Sequence, residues 1–115
     1  MSLHAPGALS DHLPLKPLDL GILIVLARGA DYGYQIVRQL AEPEAGGIRL
    51  SPSNLYTVLD RMERAGLVED LGRRPQEDRP PRRFFGITAL GRAVLEAELV
   101  RMRAVVRAAG VGDTG

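Results

Sequence analysis

The sequence predicts a mostly α chain with a small β-hairpin, an α+β architecture of four helices with the hairpin between the third and the fourth. Three observations carry this. Segments near 17–28, 31–41 and 51–65 hold apolar residues at helical spacing and stop at Gly or before Pro. Two short β-prone runs, 67–71 and 83–87, flank a polar loop containing Pro75, Pro80 and Pro81. A last stretch, 88–109, repeats apolar residues at alternating steps of four and three.

The elements follow in order. Residues 1–16, punctuated by Pro6, Gly7, Ser10 and Pro14, show no period and are expected as a flexible tail; His4 and His12 lie there, with no ligand role expected. The first helix opens at Pro17, where a missing N–H costs nothing, and runs to Arg28. Its aliphatics are nearly continuous around Leu20, Leu23 and Ile24, so burial on most sides is expected, with Gly29 as a left-handed cap. The second helix is expected from Asp31, as N-cap, to Ala41, with Tyr32, Ile36 and Leu40 on one face and Glu42-Pro43 as the stop. Gly46-Gly47 makes a turn, and Ile48-Arg49-Leu50 is a candidate short strand. The third helix has the clearest start, Ser51 as N-cap and Pro52 next. Leu55, Val58, Leu59, Met62 and Ala65 form its apolar stripe, and Gly66 closes it. Thr88 is the expected N-cap of the fourth helix, which ends near Ala109 before a flexible tail at 110–115. The domain reading is therefore a core domain at 17–87 and an appended helix at 88–109.

Composition bounds the chemistry. A chain of 115 residues suits one domain plus a short appendage, and 45% hydrophobic with 25% charged residues is ordinary for a globular protein. The core must be aliphatic, because the aromatics are only Tyr32, Tyr34, Tyr56, Phe84 and Phe85. The absence of Cys removes disulfides, thiolate nucleophiles and common zinc sites. The run Ile22–Leu26 is too short to span a bilayer, and no signal peptide is evident, so a cytoplasmic location without membrane attachment is expected. No carboxylate cluster or Gly-rich phosphate loop points to catalysis, and no cofactor is expected.

The net charge is only +1, but its distribution is uneven. Lys16 is the single Lys; every other basic residue is Arg. A compositional bias of the genome explains this as well as any functional need, although Arg suits bidentate recognition of phosphate and guanine. The hairpin tip, 73–83, holds Arg73, Arg74, Arg79, Arg82 and Arg83 against Glu77 and Asp78.

Helix, helix, helix, basic hairpin and helix is the winged helix-turn-helix plan. A helix fits the major groove, where every base pair shows a distinct pattern of donors and acceptors. The N-terminal half of the inserted helix meets base edges. Here that half offers Ser51, Ser53, Asn54, Tyr56 and Thr57, with Arg61 further along. The tip arginines can clasp the backbone or enter a minor groove. Leu95, Leu99, Met102 and Val106 form the seam of the fourth helix, and a homodimer is the expected way to cover it. Residue by residue, solvated polar positions, a solvated loop and a seam folded back within the chain remain open. So does a winged helix that binds proteins and has lost specific DNA binding.

The chain resembles the PadR family of bacterial transcriptional regulators. The matching segments are Leu18-Asp19-Leu20, Gly33-Tyr34-Gln35-Ile36, Leu50–Tyr56, Leu59–Val68 and Arg82–Gly91, in order across roughly 18–95. The resemblance implies a homodimer on double-stranded DNA at a pseudo-palindromic operator, usually as a repressor, with Tyr34 supporting the DNA-facing surface. It leaves room for a small-molecule effector without naming one. Thr57 stands where the family often has Pro, and Phe84-Phe85 where it usually has two tyrosines. Some small members hold flat aromatic drugs between tryptophans; this chain has no Trp.

Overall fold

The computed structural model describes residues 9–76 and 79–110. Its helices are α1 (Pro17–Arg28), α2 (Gly33–Leu40), α3 (Pro52–Arg64) and α4 (Ala89–Ala109), and its strands are β1 (Asp31–Tyr32), β2 (Val68–Gln76) and β3 (Arg79–Ile87). The sheet is antiparallel with order β1-β3-β2.

The helix starts follow local chemistry. Pro17 and Pro52 open α1 and α3, and the Ser51 hydroxyl accepts the Asn54 N–H. Thr88 caps α4 by accepting the Gly91 N–H at 2.9 Å while donating to the Gly66 carbonyl at 2.6 Å. That hydroxyl ties the end of α3 to the start of α4. Gly91 permits the approach, since a Cβ there would stand 2.1 Å from the Leu67 carbonyl oxygen.

The core is aliphatic, as composition requires. Ile22, Leu23, Val25 and Leu26 of α1 pack with Ile36 and Leu40 of α2, Leu55, Leu59 and Met62 of α3, Val68, Phe85, Val94 and Leu95. Burial of this kind stabilises a small domain by about 1.5–3 kcal/mol for each large side chain fully buried.

Several local expectations are corrected. Asp31 is not a helix cap: it lies in β1, accepts the Tyr32 N–H at 2.9 Å and the Gln39 side-chain N–H at 2.8 Å, and Tyr32 takes the cap position of α2. Gly29 does cap α1, its N–H donating to the Leu26 carbonyl, but at φ 152° and ψ 156°, a positive-φ conformation open to glycine that is not the left-handed helical one expected. Ile48–Leu50 forms no strand; a 3-10 turn, Pro43–Ala45, precedes it instead. The hairpin ladder runs well beyond 71 and 83, pairing Arg73 with Arg83, Arg74 with Arg82 and Gln76 with Arg79. Pro80 and Pro81 are tolerated because β1 pairs only with Phe84 and Phe85, leaving the distal half of β3 as an edge.

Residues 9–16 of the segment expected as a free N-terminal tail are held against the fold. Leu9–His12 is a 3-10 turn, and Leu13 and Leu15 pack on the core. The Leu15 N–H donates to the buried Glu98 carboxylate at 2.8 Å. Residues 1–8 and 111–115 of the expected tails lie outside the described residues.

Candidate nucleic-acid interface

The candidate surface is built on α3. Leu55, Leu59 and Met62 bury one side of the helix completely. The opposite side of its first two turns is thereby presented outward, and Ser51, Ser53, Asn54, Tyr56 and Thr57 are all exposed there. The Ser51 and Ser53 hydroxyls lie 3.3 Å apart, and the Thr57 hydroxyl donates to the Ser53 carbonyl at 3.3 Å. The Asn54 side chain has no hydrogen-bond partner among the described residues, so its amide is available to bond a base edge or a phosphate.

Tyr56 links three elements. Its ring lies 6.0 Å from that of Phe85 in β3, and its hydroxyl rests on Gly33 at the start of α2. A Cβ on Gly33 would come within 2.5 Å of that oxygen, which accounts for glycine at this position. Tyr56 thus packs against the hairpin and still leaves 38% of its surface exposed. Tyr34, one residue into α2, is 55% exposed, with the Arg38 guanidinium 6.0 Å from its ring centre. Arg38 was not among the sequence candidates; its spacing of four from Tyr34 is the signal that identifies it.

The hairpin arginines do not share one environment. Arg82 stacks over Tyr32 at 4.9 Å and Arg74 over Phe84 at 5.4 Å, while Tyr32 and Phe84 meet edge to face at 5.4 Å. Phenyl rings serve this stacking as well as phenols do, so the missing hydroxyls at 84 and 85 leave it intact. Arg73 and Arg79 are exposed. Arg83 stands over Phe85 at 4.9 Å and is ion-paired with Asp70 at 2.8 Å. The hydrogen bond from Arg83, aided by the Gly72 N–H, holds the Asp70 carboxyl below the usual carboxylate range. Glu77 and Asp78 lie outside the described residues.

Arg61 is separated from the other candidates. Its guanidinium forms a two-pronged pair with Asp19 of α1, at 2.7 and 3.0 Å, and Asp19 is only 5% exposed. This geometry pins α3 to α1, and the Asp19 hydrogen bond raises the Arg61 pKa further above its ordinary value.

The α4 candidates also divide. Leu95 belongs to the core, Met102 is half-buried, and Leu99 and Val106 are exposed. Val100 and Val105, outside the expected seam, are exposed too. No grouping of metal-binding side chains occurs among the described residues, and no described helix is long and apolar enough to cross a membrane.

Residues 22–97 match the transcriptional regulator PadR-like family. A PadR-like transcriptional regulator from Bacillus cereus superposes with a TM-score of 0.70 at 24% identity, covering 85% of this chain and 92% of that one. A PadR family regulator from Clostridium difficile gives 0.67 at 23% identity, over 81% and 94%. Bacillus subtilis PadR, solved in complex with operator DNA, gives 0.63 at 22% identity, over 76% and 49%. A 37.1 kDa protein from a Streptomyces fradiae transposon is 39% identical over 77 residues, which are 67% of this chain and 20% of that protein. The chain therefore spans about a fifth of the length of that curated relative. These structures are those of transcription regulators and share the winged-helix fold seen here. The chain belongs to the PadR-like family of transcriptional regulators.

Proposed function

We propose that this chain is a sequence-specific DNA-binding regulator that acts as a homodimer, as a repressor at a pseudo-palindromic operator in the cytoplasm. The observation that carries the reading is the exposed start of α3. Ser53, Asn54 and Thr57 face outward there, with Tyr34 and Arg38 on α2 and the stacked Arg74 and Arg82 on the hairpin. The operator complex of the Bacillus subtilis relative supports assigning such a surface to DNA. In this reading α3 enters the major groove, the positive end of its dipole favours phosphate, and the hairpin lies along the backbone. Residues 17–87 form the DNA-binding domain.

The dimer is proposed from α4. Leu99, Val100, Val105 and Val106 are between 38% and 58% exposed on one short stretch of helix. Leu99 and Val106, seven residues apart, share one face of the helix, and large apolar side chains so aligned are rare on a free surface. A second copy covers Leu99, Met102 and Val106, continuous with Leu95 in the core, and its twofold axis matches a palindromic site.

The test is fluorescence anisotropy with DNA from upstream of the chain's own gene, compared with scrambled DNA over a salt series. Tighter binding to the upstream DNA, at one dimer per site and steepening as salt falls, is expected. Equal, weak binding to both would overturn sequence-specific recognition and favour a winged helix that docks on another protein.

A further inference from the structure

The five arginines of the hairpin differ in what already holds them. Arg74 and Arg82 lie opposite one another and stack on aromatic rings, with no carboxylate partner among the described residues. Arg83 is held on two sides. Phe85, itself 1% exposed, lies under its guanidinium at 4.9 Å. Asp70 accepts from its Nε at 2.8 Å and lies 2.8 Å from its Nη2. That is the edge of the guanidinium with which Arg grips a phosphate.

Asp70 is placed for this by the backbone. The ladder register shifts between Asp70 and Gly72, and the Gly72 N–H donates to the second Asp70 oxygen at 2.8 Å. The Gly72 N–H thus ties the carboxylate to the strand irregularity independently of Arg83. An Arg83 that reached for DNA would have to give up this carboxylate.

We propose, on the basis of the DNA-binding reading above, that Asp70 is a built-in substitute for phosphate that withholds Arg83 from the DNA backbone. The wing's phosphate contacts then come from its other arginines. The consequence is specificity. Phosphate contacts supply nearly all of non-specific binding, so each neutralised arginine lowers affinity for arbitrary DNA more than it lowers recognition by α3. Asp70 is a positioning residue here, since it acts through Arg83.

The experiment measures salt dependence of binding to operator and scrambled DNA for the wild type, Asp70→Asn and Asp70→Asn/Arg83→Gln. Asn at 70 retains an oxygen for the Gly72 N–H, and thermal unfolding checks each variant. Asp70→Asn releases Arg83, so the slope of log affinity against log salt should steepen by about 0.9 per protomer. For a dimer this is roughly a tenfold larger loss of affinity between about 50 and 200 mM salt, and discrimination against scrambled DNA should fall. The double variant removes a neutral pair and should return to the wild-type slope. An unchanged or flatter slope for Asp70→Asn overturns the proposal. So does a double variant flatter than wild type, because Arg83 would then already touch phosphate in the native complex. A wild type with no measurable affinity for either DNA at the lowest salt overturns the DNA-binding reading, and this proposal with it.

Discussion

Helices α3 and α4 begin alike and end differently. Each starts at a hydroxyl cap, Ser51 for α3 and Thr88 for α4, and each carries a stripe of apolar residues. In α3 the middle of the stripe is satisfied, with Leu55, Leu59 and Met62 fully buried and Val58 partly so, while Ala65, expected on the stripe, is exposed at the C-cap. In α4 burial stops at Glu98; the described helix continues to Ala109 with Leu99, Val100, Val105 and Val106 exposed. The contrast separates two uses of a helix. The chain itself covers the apolar side of α3, so that helix is rigidly held and its outward polar side is free to be read by another molecule. Among the described residues none buries Leu99, Val100, Val105 or Val106, and Met102 is only half-covered, so this stretch offers apolar surface for another molecule to cover.

The largest expected effect tests the self-sufficient helix. Leu59→Ala leaves a cavity in a fully packed site and should lower stability by about 2–5 kcal/mol, seen as a lower midpoint in urea with an unchanged slope. Against a total of about 5–15 kcal/mol for a domain, that is a large fraction. A loss under about 1 kcal/mol would mean that α3 is not held as described. Leu99→Glu tests the other helix. It should leave the domain folded and weaken self-association by at least about 100-fold, the cost of spoiling a central interface anchor. Light scattering showing an intact dimer would place the interface elsewhere on the surface.

The outward face of α3 gives a smaller effect of a different kind. Asn54 is exposed and its side chain has no hydrogen-bond partner among the described residues. Asn54→Ala should therefore change stability by less than about 0.5 kcal/mol. It should cost about 1–3 kcal/mol of discrimination at one base pair, read by competition between operator variants. Equal losses on operator and scrambled DNA would remove Asn54 from base recognition.

The same contrast explains what was legible in the sequence. The starts of α1, α3 and α4 are written locally, in Pro17, Ser51-Pro52 and Thr88, and the bounds read from them hold. The polar positions of α3 were legible because a periodic stripe defines its own opposite face. What failed depends on distant partners. Asp31-Tyr32 has the local look of a helix start, but its pairing with Phe84 and Phe85 makes it a strand. Residues 9–16 carry no period, and what orders them includes Glu98, 83 positions beyond Leu15. The basic segment looked like a loop because of its prolines, which only an edge strand accommodates. Arg61 could not be told from the other arginines without Asp19, 42 positions upstream, nor Arg83 from Arg82 without the strand irregularity at Asp70.

Glu98 sits where α4 passes from covered to uncovered, and it sharpens the comparison by pH. Its carboxylate is 1% exposed, paired with Arg101 one turn on and bonded to the Leu15 N–H. The Arg101 hydrogen bond is the main influence, and with the Leu15 N–H it outweighs the cost of burial, holding the Glu98 pKa below the usual range. A carboxyl whose pKa is depressed by folding adds stability above its unfolded pKa and loses that stability as pH falls through its folded pKa. Glu98→Gln keeps the shape and an acceptor for Leu15 but removes the charge, so it should cost about 1–2 kcal/mol at neutral pH. As the solution is acidified below the ordinary carboxylate range, the wild type should lose this advantage and the two urea midpoints should converge. Asp70 titrates in both proteins and cancels in the difference. A gap that stays constant down to acid pH would show that Glu98 contributes shape rather than charge.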